Sequence, residues 1–163
     1  MIINTVNKLR VSLYEPRIPQ NTGNIGRTCA AFNISLDLIQ PLGFSIESKH
    51  MKRAGLDYWK FIDIKVHKDY NSYKEYVCGH RIIGFSKKGG VPLNTLKFKS
   101  KDILLFGRED LGLPQNIQND CDIMSTIQMP GIADEFGRNG VRSLNLSSAC
   151  AIAAYYSLIN FGD

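Results

Sequence analysis

The 163 residues and 18.3 kDa suit one domain spanning 1–163 and leave little room for a second with its own core. Hydrophobic residues at 44% and charged residues at 21% exclude a disordered or fibrous chain, and no apolar run is long enough to span a bilayer. Charge is uneven: residues 1–101 hold 17 Lys and Arg against 7 Asp and Glu, residues 102–163 hold 3 against 8, which suits a phosphate backbone and equally a solvated surface.

In chain order, residues 9–14 form an aliphatic run that reads as a strand. Pro16 and Pro19 stiffen the loop that follows. A helix over 22–32 then sets Ile25, Cys29 and Phe32 on one face, with Asn21 as its expected cap. Further strands are expected at 36–39, 62–67, 81–85, 103–106 and 125–129. Between them lie helices at 49–54, stopped by Gly55, at 72–77 and at 115–119, and a helix at 146–159 that is apolar nearly all round closes the chain. Strands alternating with helices predict an α/β fold, a parallel sheet with helices on both faces. Ligands of such sheets collect beyond the carboxyl ends of the strands, here after Tyr14, Phe85, Phe106 and Met129.

Cys29, Cys78, Cys121 and Cys150 are scattered without C-x-x-C spacing, and His50, His67 and His80 are equally dispersed. Reduced, mostly buried thiols and no metal are expected. The opening residues lack the pattern of a secretion signal, so the expected location is the cytoplasm. A nicotinamide site is disfavoured, because G-x-G-x-x-G is absent and no acidic residue follows Ile39 to hold a ribose.

Three segments carry the chemistry. After the first strand, Asn21 and Arg27 lie six residues apart; they read either as groups lining one sheet edge or as a plain cap and a surface arginine. The second segment, Phe106-Gly107-Arg108-Glu109 with Gly112-Leu113-Pro114, ends a buried strand in a loop bracketed by glycines, which allow positive φ and close backbone approach. Its Glu109 fits either a ribose hydroxyl or backbone N–H groups of the loop. The third, Ser143-Leu144-Asn145-Leu146-Ser147, introduces the closing helix. Ser143 or Asn145 either caps that helix or helps its N-terminus meet a carboxylate such as that of a methionine moiety.

In order and spacing these segments resemble the three motifs of the SpoU family of SPOUT-class RNA methyltransferases, N-x-x-x-x-x-R, F-G-x-E-x-x-G-L and S-L-N-L-S. Leu13-Tyr14-Glu15-Pro16, Pro19-Gln20-Asn21-Thr22-Gly23-Asn24 and Arg53-Ala54-Gly55-Leu56-Asp57-Tyr58 are similar to the members that act on the tRNA wobble position. The resemblance implies a C-terminal deep trefoil knot and a homodimer with a shared active site. It implies methyl transfer from S-adenosylmethionine to a ribose 2′-hydroxyl of the wobble nucleotide in the anticodon stem-loop. Ribosomal RNA, another tRNA position, or a non-catalytic RNA-binding module on the same fold are the alternatives.

By transfer from the motifs, Phe85, Gly107, Glu109, Gly112, Met129, Ser143 and Asn145 hold the cofactor, and Asn21, Arg27, Glu109 and Asn145 form the catalytic set. A guanidinium stays protonated, so Arg27 is expected to hold the adjacent phosphate and stabilise developing alkoxide charge; deprotonation through that phosphate stays open. Lys49, Lys52, Arg53, Lys87 and Lys88 are the candidates for RNA phosphates. Two departures from the family pattern stand out, a longer loop over 131–141 and Tyr155-Tyr156-Ser157 where an acidic residue is usual after tyrosine.

Overall fold

Runs such as Ile103–Phe106 are apolar at every position, and a strand of that kind is stable only when both its faces are covered. The computed structural model, which describes residues 9–54, 56–134, 136 and 138–161, meets this demand with one parallel sheet. Its strands are β1 (Arg10–Tyr14), β2 (Ser35–Ile39), β3 (Ile64–His67), β4 (Ile82–Phe85), β5 (Val91–Pro92), β6 (Ile103–Phe106) and β7 (Ile123–Thr126). Their order across the sheet is β3-β2-β1-β6-β4-β7-β5, and every pairing is parallel. The helices are α1 (Pro19–Phe32), α2 (Lys49–Ala54), α3 (Tyr70–Tyr76), α4 (Gln115–Asp120) and α5 (Leu146–Ile159).

Successive side chains of β6 serve opposite cores. Leu104 and Phe106 join Ile25 and Cys29 of α1 and Cys150, Ala153, Ala154 and Leu158 of α5. Ile103 and Leu105 join Tyr73 of α3 and Ile117 of α4 on the other side. The expected doubly covered parallel sheet is therefore present.

Element ends differ from the sequence reading where tertiary partners decide them. Helix α1 begins at Pro19, whose fixed φ suits the first helical position, so Asn21 lies inside the first turn and the cap position falls to Ile18. The last strand spans Ile123–Thr126, so 127–129 leave the sheet. The two-residue β5 was not expected; it is held only by pairing to β7.

One polar knot sits inside the sheet. Asp37 of β2 is fully buried and accepts from Arg10 at 2.7 and 3.0 Å, while His67 Nε2 lies 2.7 Å from Asp37 Oδ1. His67 is thus committed to structure, and among the described residues no group of His, Cys, Asp or Glu is placed to hold a metal. Cys29 and Cys150 are buried, Cys121 is half-buried and Cys78 is exposed. Burial pushes the Cys29 thiol up to about 12 and the Cys121 thiol up to about 11. At pH 8 both stay protonated, so a thiol reagent should modify Cys78 rapidly in the native protein and the other three only after unfolding. Two or more fast thiols in a native Ellman assay would contradict this packing.

Candidate functional site

Strand β6 ends in a turn that the backbone closes tightly. Gly112 N–H donates to Arg108 O at 2.8 Å, and Arg108 N–H returns a bond to Gly112 O at 3.2 Å. Gly112 takes φ +67°, and a Cβ on Gly107 would overlap the Gly112 carbonyl and the Leu113 nitrogen. Both glycines are therefore required by the turn itself.

The turn delivers Glu109 to the start of α1. Its carboxylate accepts from Arg17 N–H at 2.8 Å and Ile18 N–H at 3.0 Å, the amides of the N-cap residue and the one before it. A carboxylate there also meets the positive end of the helix dipole. Of the two sequence readings, Glu109 takes the one that binds backbone N–H groups, but those of a loop 91 and 92 residues away.

Two asparagines extend this contact. Asn21 Nδ2 donates to Glu109 Oε1 at 3.4 Å, and Asn21 Oδ1 accepts from Asn145 Nδ2 at 3.0 Å. Asn145 is the N-cap of α5: its Oδ1 accepts from Ser147 N–H at 2.9 Å. One residue from each motif thus joins the N-termini of α1 and α5 through the 107–112 turn. Ser143 does not cap α5.

Beside this chain lies a pocket of about 380 Å³. Phe85 and Phe106, stacked at 4.6 Å between ring centroids, line it together with the 107–113 turn, Met129, Ser143 and Leu144, and with Lys87 and Lys88. Leu144 N–H reaches Met129 Sδ at 3.4 Å, and Lys87 Nζ reaches Arg142 O at 3.1 Å. Phe85, Gly107, Glu109, Gly112, Met129 and Ser143 all line this pocket, and Asn145 is not among its lining residues. Sequence reasoning missed Arg108, Leu113, Ile127 and Leu146 among the lining residues, since each is an ordinary apolar or loop residue until the fold juxtaposes it.

Arg27 is not brought to that edge. Six residues beyond Asn21 at 3.6 residues per turn, it points elsewhere, exposed, with its guanidinium 5.1 Å from the centre of the Tyr58 ring. Lys49, Lys52 and Arg53 lie exposed on α2, which packs against α1, so the five RNA candidates divide between that face and the pocket. Ile152, Tyr155 and Ile159 of α5 are also exposed, and Tyr155 packs against Phe32 of α1.

Residues 8–155 match the SpoU rRNA Methylase family. A tRNA (cytidine(34)-2′-O)-methyltransferase from Methylovorus glucosotrophus is 37% identical over 145 residues, covering 89% of this chain and 90% of that protein. Its namesake from Escherichia coli K12 is 37% identical over 147 residues, 90% of each. A solved structure described as "Structural insights into the 2-OH methylation of C/U34 on tRNA" superposes with a TM-score of 0.84 at 41% identity, over 93% of this chain and 95% of that one. An AdoMet-bound rRNA methyltransferase from Sinorhizobium meliloti gives 0.77 at 26% identity, over 92% of this chain and 55% of that one.

Glu109→Ala should leave the Arg17 and Ile18 amides short of acceptors and cost about 1–3 kcal/mol in urea unfolding, with an unchanged m-value. An unchanged midpoint would mean that water replaces the carboxylate at no cost.

Proposed function

The chain belongs to the SpoU rRNA Methylase family, and on that premise we propose that it moves the methyl group of S-adenosylmethionine to the ribose 2′-hydroxyl of the wobble nucleotide, C34 or U34, of tRNA. The observation that carries the reading is the hydrogen-bonded meeting of Asn21, Glu109 and Asn145 beside an aromatic-lined pocket at the carboxyl edge of the sheet. The relatives named for cytidine 34 support the position, and the AdoMet-bound neighbour supports the donor.

The pocket suits that donor. Phe85 and Phe106 offer apolar faces, the missing Cβ of Gly107 lets backbone stand where a side chain would intrude, and Ser143 lies near the start of α5. Phe85, Gly107, Gly112, Met129 and Ser143 would hold the cofactor, which supplies a methyl group already activated for displacement. Asn21, Glu109 and Asn145 spend their polar atoms on one another and on backbone, so they act as positioning residues for the walls rather than as groups at the reacting atoms.

Arg27 is the group that acts on the RNA. Its guanidinium remains charged and holds the phosphate beside the target ribose, stabilising alkoxide charge as the methyl group transfers. Because it stands outside its own chain's pocket, it serves the pocket of a second copy, and the face that exposes Ile152, Tyr155 and Ile159 beside half-buried Phe32 is the contact. The reading also includes a single domain, a C-terminal trefoil knot formed where the chain enters α5, no metal, and a cytoplasmic location. Among the described residues, no helix is long and apolar enough to cross a membrane. Lys49, Lys52, Arg53, Lys87 and Lys88 meet RNA phosphates, so activity falls steeply as salt rises.

Ribose methylation mapped in cells lacking the gene, and restored with purified protein, tests the substrate. Loss at tRNA position 34 is expected; intact tRNA with a lost ribosomal mark would move the activity to ribosomal RNA. Calorimetry should show S-adenosylhomocysteine binding without added metal.

Arg27→Ala should lower turnover by roughly a hundredfold or more while keeping that binding, whereas Asn145→Ala weakens both. Mixing these two variants should restore activity through heterodimers carrying one intact site. Failure of the mixture to recover would place Arg27 in its own chain's site.

A further inference from the structure

A second concavity opens at the same edge of the sheet, beyond β2 and β3. It is a groove of about 610 Å³ lined by residues that include Gln40, Leu42, Phe44, Glu47 and Lys68. Leu42 and Ile46 pack onto the core beneath, whereas Phe44, half-buried and outside that cluster, lines the groove and leaves part of its surface to it. A partly exposed aromatic ring with an amide, a carboxylate and an ammonium around it is the composition that takes a nucleobase and its phosphate.

The groove is mechanically continuous with the pocket. Gly43 N–H donates to Pro16 O at 2.9 Å, and a Cβ on Gly43 would strike the Arg17 backbone at 2.7 Å, so the 40–47 loop lies directly on the 15–18 loop that Glu109 holds. Neighbouring strands are about 4.8 Å apart, which sets the end of β2 roughly 10 Å from the end of β6, within reach of one single-stranded segment.

Cations mark the way between them, from Lys87 and Arg108 at the pocket through Arg17 to Lys68 in the groove. Arg17 and Arg108 are each held by an acid, Glu15 and Asp110, and so are oriented. Arg17 Nε is buried with no acceptor among the described residues, leaving a donor unused.

We infer that this groove is a second nucleotide subsite: it stacks an unpaired base of the RNA near the target nucleotide on Phe44, with Lys68 on that nucleotide's phosphate. The inference rests on the tRNA reading above and extends it from one nucleotide to a stretch of single strand. Loop nucleotides suit such a site because their bases are free to splay onto aromatic side chains.

The test measures binding of an anticodon stem-loop RNA by fluorescence anisotropy with S-adenosylhomocysteine present, independent of turnover. Each unpaired loop position is replaced in turn by an abasic residue. One position other than the target should weaken binding to the wild-type protein by roughly tenfold. Phe44→Ala should lose the same factor on the intact RNA and nothing more on that abasic RNA. Lys68→Ala should lower the salt dependence of binding by about one unit of slope.

Losses that add, or an abasic scan in which only the target position matters, would overturn the subsite; the scan decides even if Phe44→Ala does not fold. A Phe44→Ala protein that binds RNA normally but changes its oligomeric state in light scattering would make the groove a protein contact and equally overturn it. If groove-dependent binding persists but no methyl group is transferred, the activity reading fails and the subsite stands.

Discussion

A half-buried carboxylate favours partners, and the amides at the entry to a helix need acceptors; Glu109 meets both needs at once. Everything at the functional edge depends on that exchange. The 107–112 turn belongs to β6, the amides it satisfies belong to the loop after β1, and Asn21 carries the contact on to Asn145 at the head of α5. Three loops that follow different strands thereby share one arrangement. Such short polar chains strengthen one another when shielded from water, and the loss of one member leaves the next unsatisfied. The pocket is the space these loops leave when so tied, with Phe85 and Phe106 as its aromatic lining.

Much of the fold was legible because burial imposes a period. Strands apolar at every position and helices with one apolar face announced a doubly covered sheet, and β1, β2, β4 and β6 lie within a residue of where the runs fall. The last strand was misjudged because β-branched and apolar character continues past the point where pairing partners end: Ile127 and Met129 turn out to serve the pocket. Strand β5 carries only Val91 and Pro92, and no pattern of two residues distinguishes a strand.

The site was legible in residue type but not in arrangement. Asparagine before an apolar run reads as a cap, yet Pro19 starts the helix earlier and the capping oxygen arrives from Glu109. The Arg17 and Ile18 amides carry no signal at all in sequence, since every residue but proline has one. Of the two readings of Arg27, helix geometry favours the surface arginine: at 100° per residue, six positions carry it well away from the direction of Asn21. That rotation is also informative, because an arginine turned from its own pocket and laid over Tyr58 is available to a surface outside its own chain.

The split in charge acquires a structural meaning at the rim of the pocket. Binding a polyanion there requires more than lysines; the carboxylates that close the walls must not repel it. Each one near the mouth is engaged. Glu109 is held by amides, Glu15 lies 3.1 Å from Arg17 and 3.8 Å from Arg108, and Arg108 grips Asp110 at 2.7 Å, holding its carboxyl down to about 2. Near neutral pH Asp110 therefore stays ionised against Arg108, Glu15 and Glu109 have their own partners, and Lys87 and Lys88 are left to set the field that an approaching phosphate meets. The acidic C-terminal part of the chain thus builds the walls without undoing the attraction that the basic part supplies.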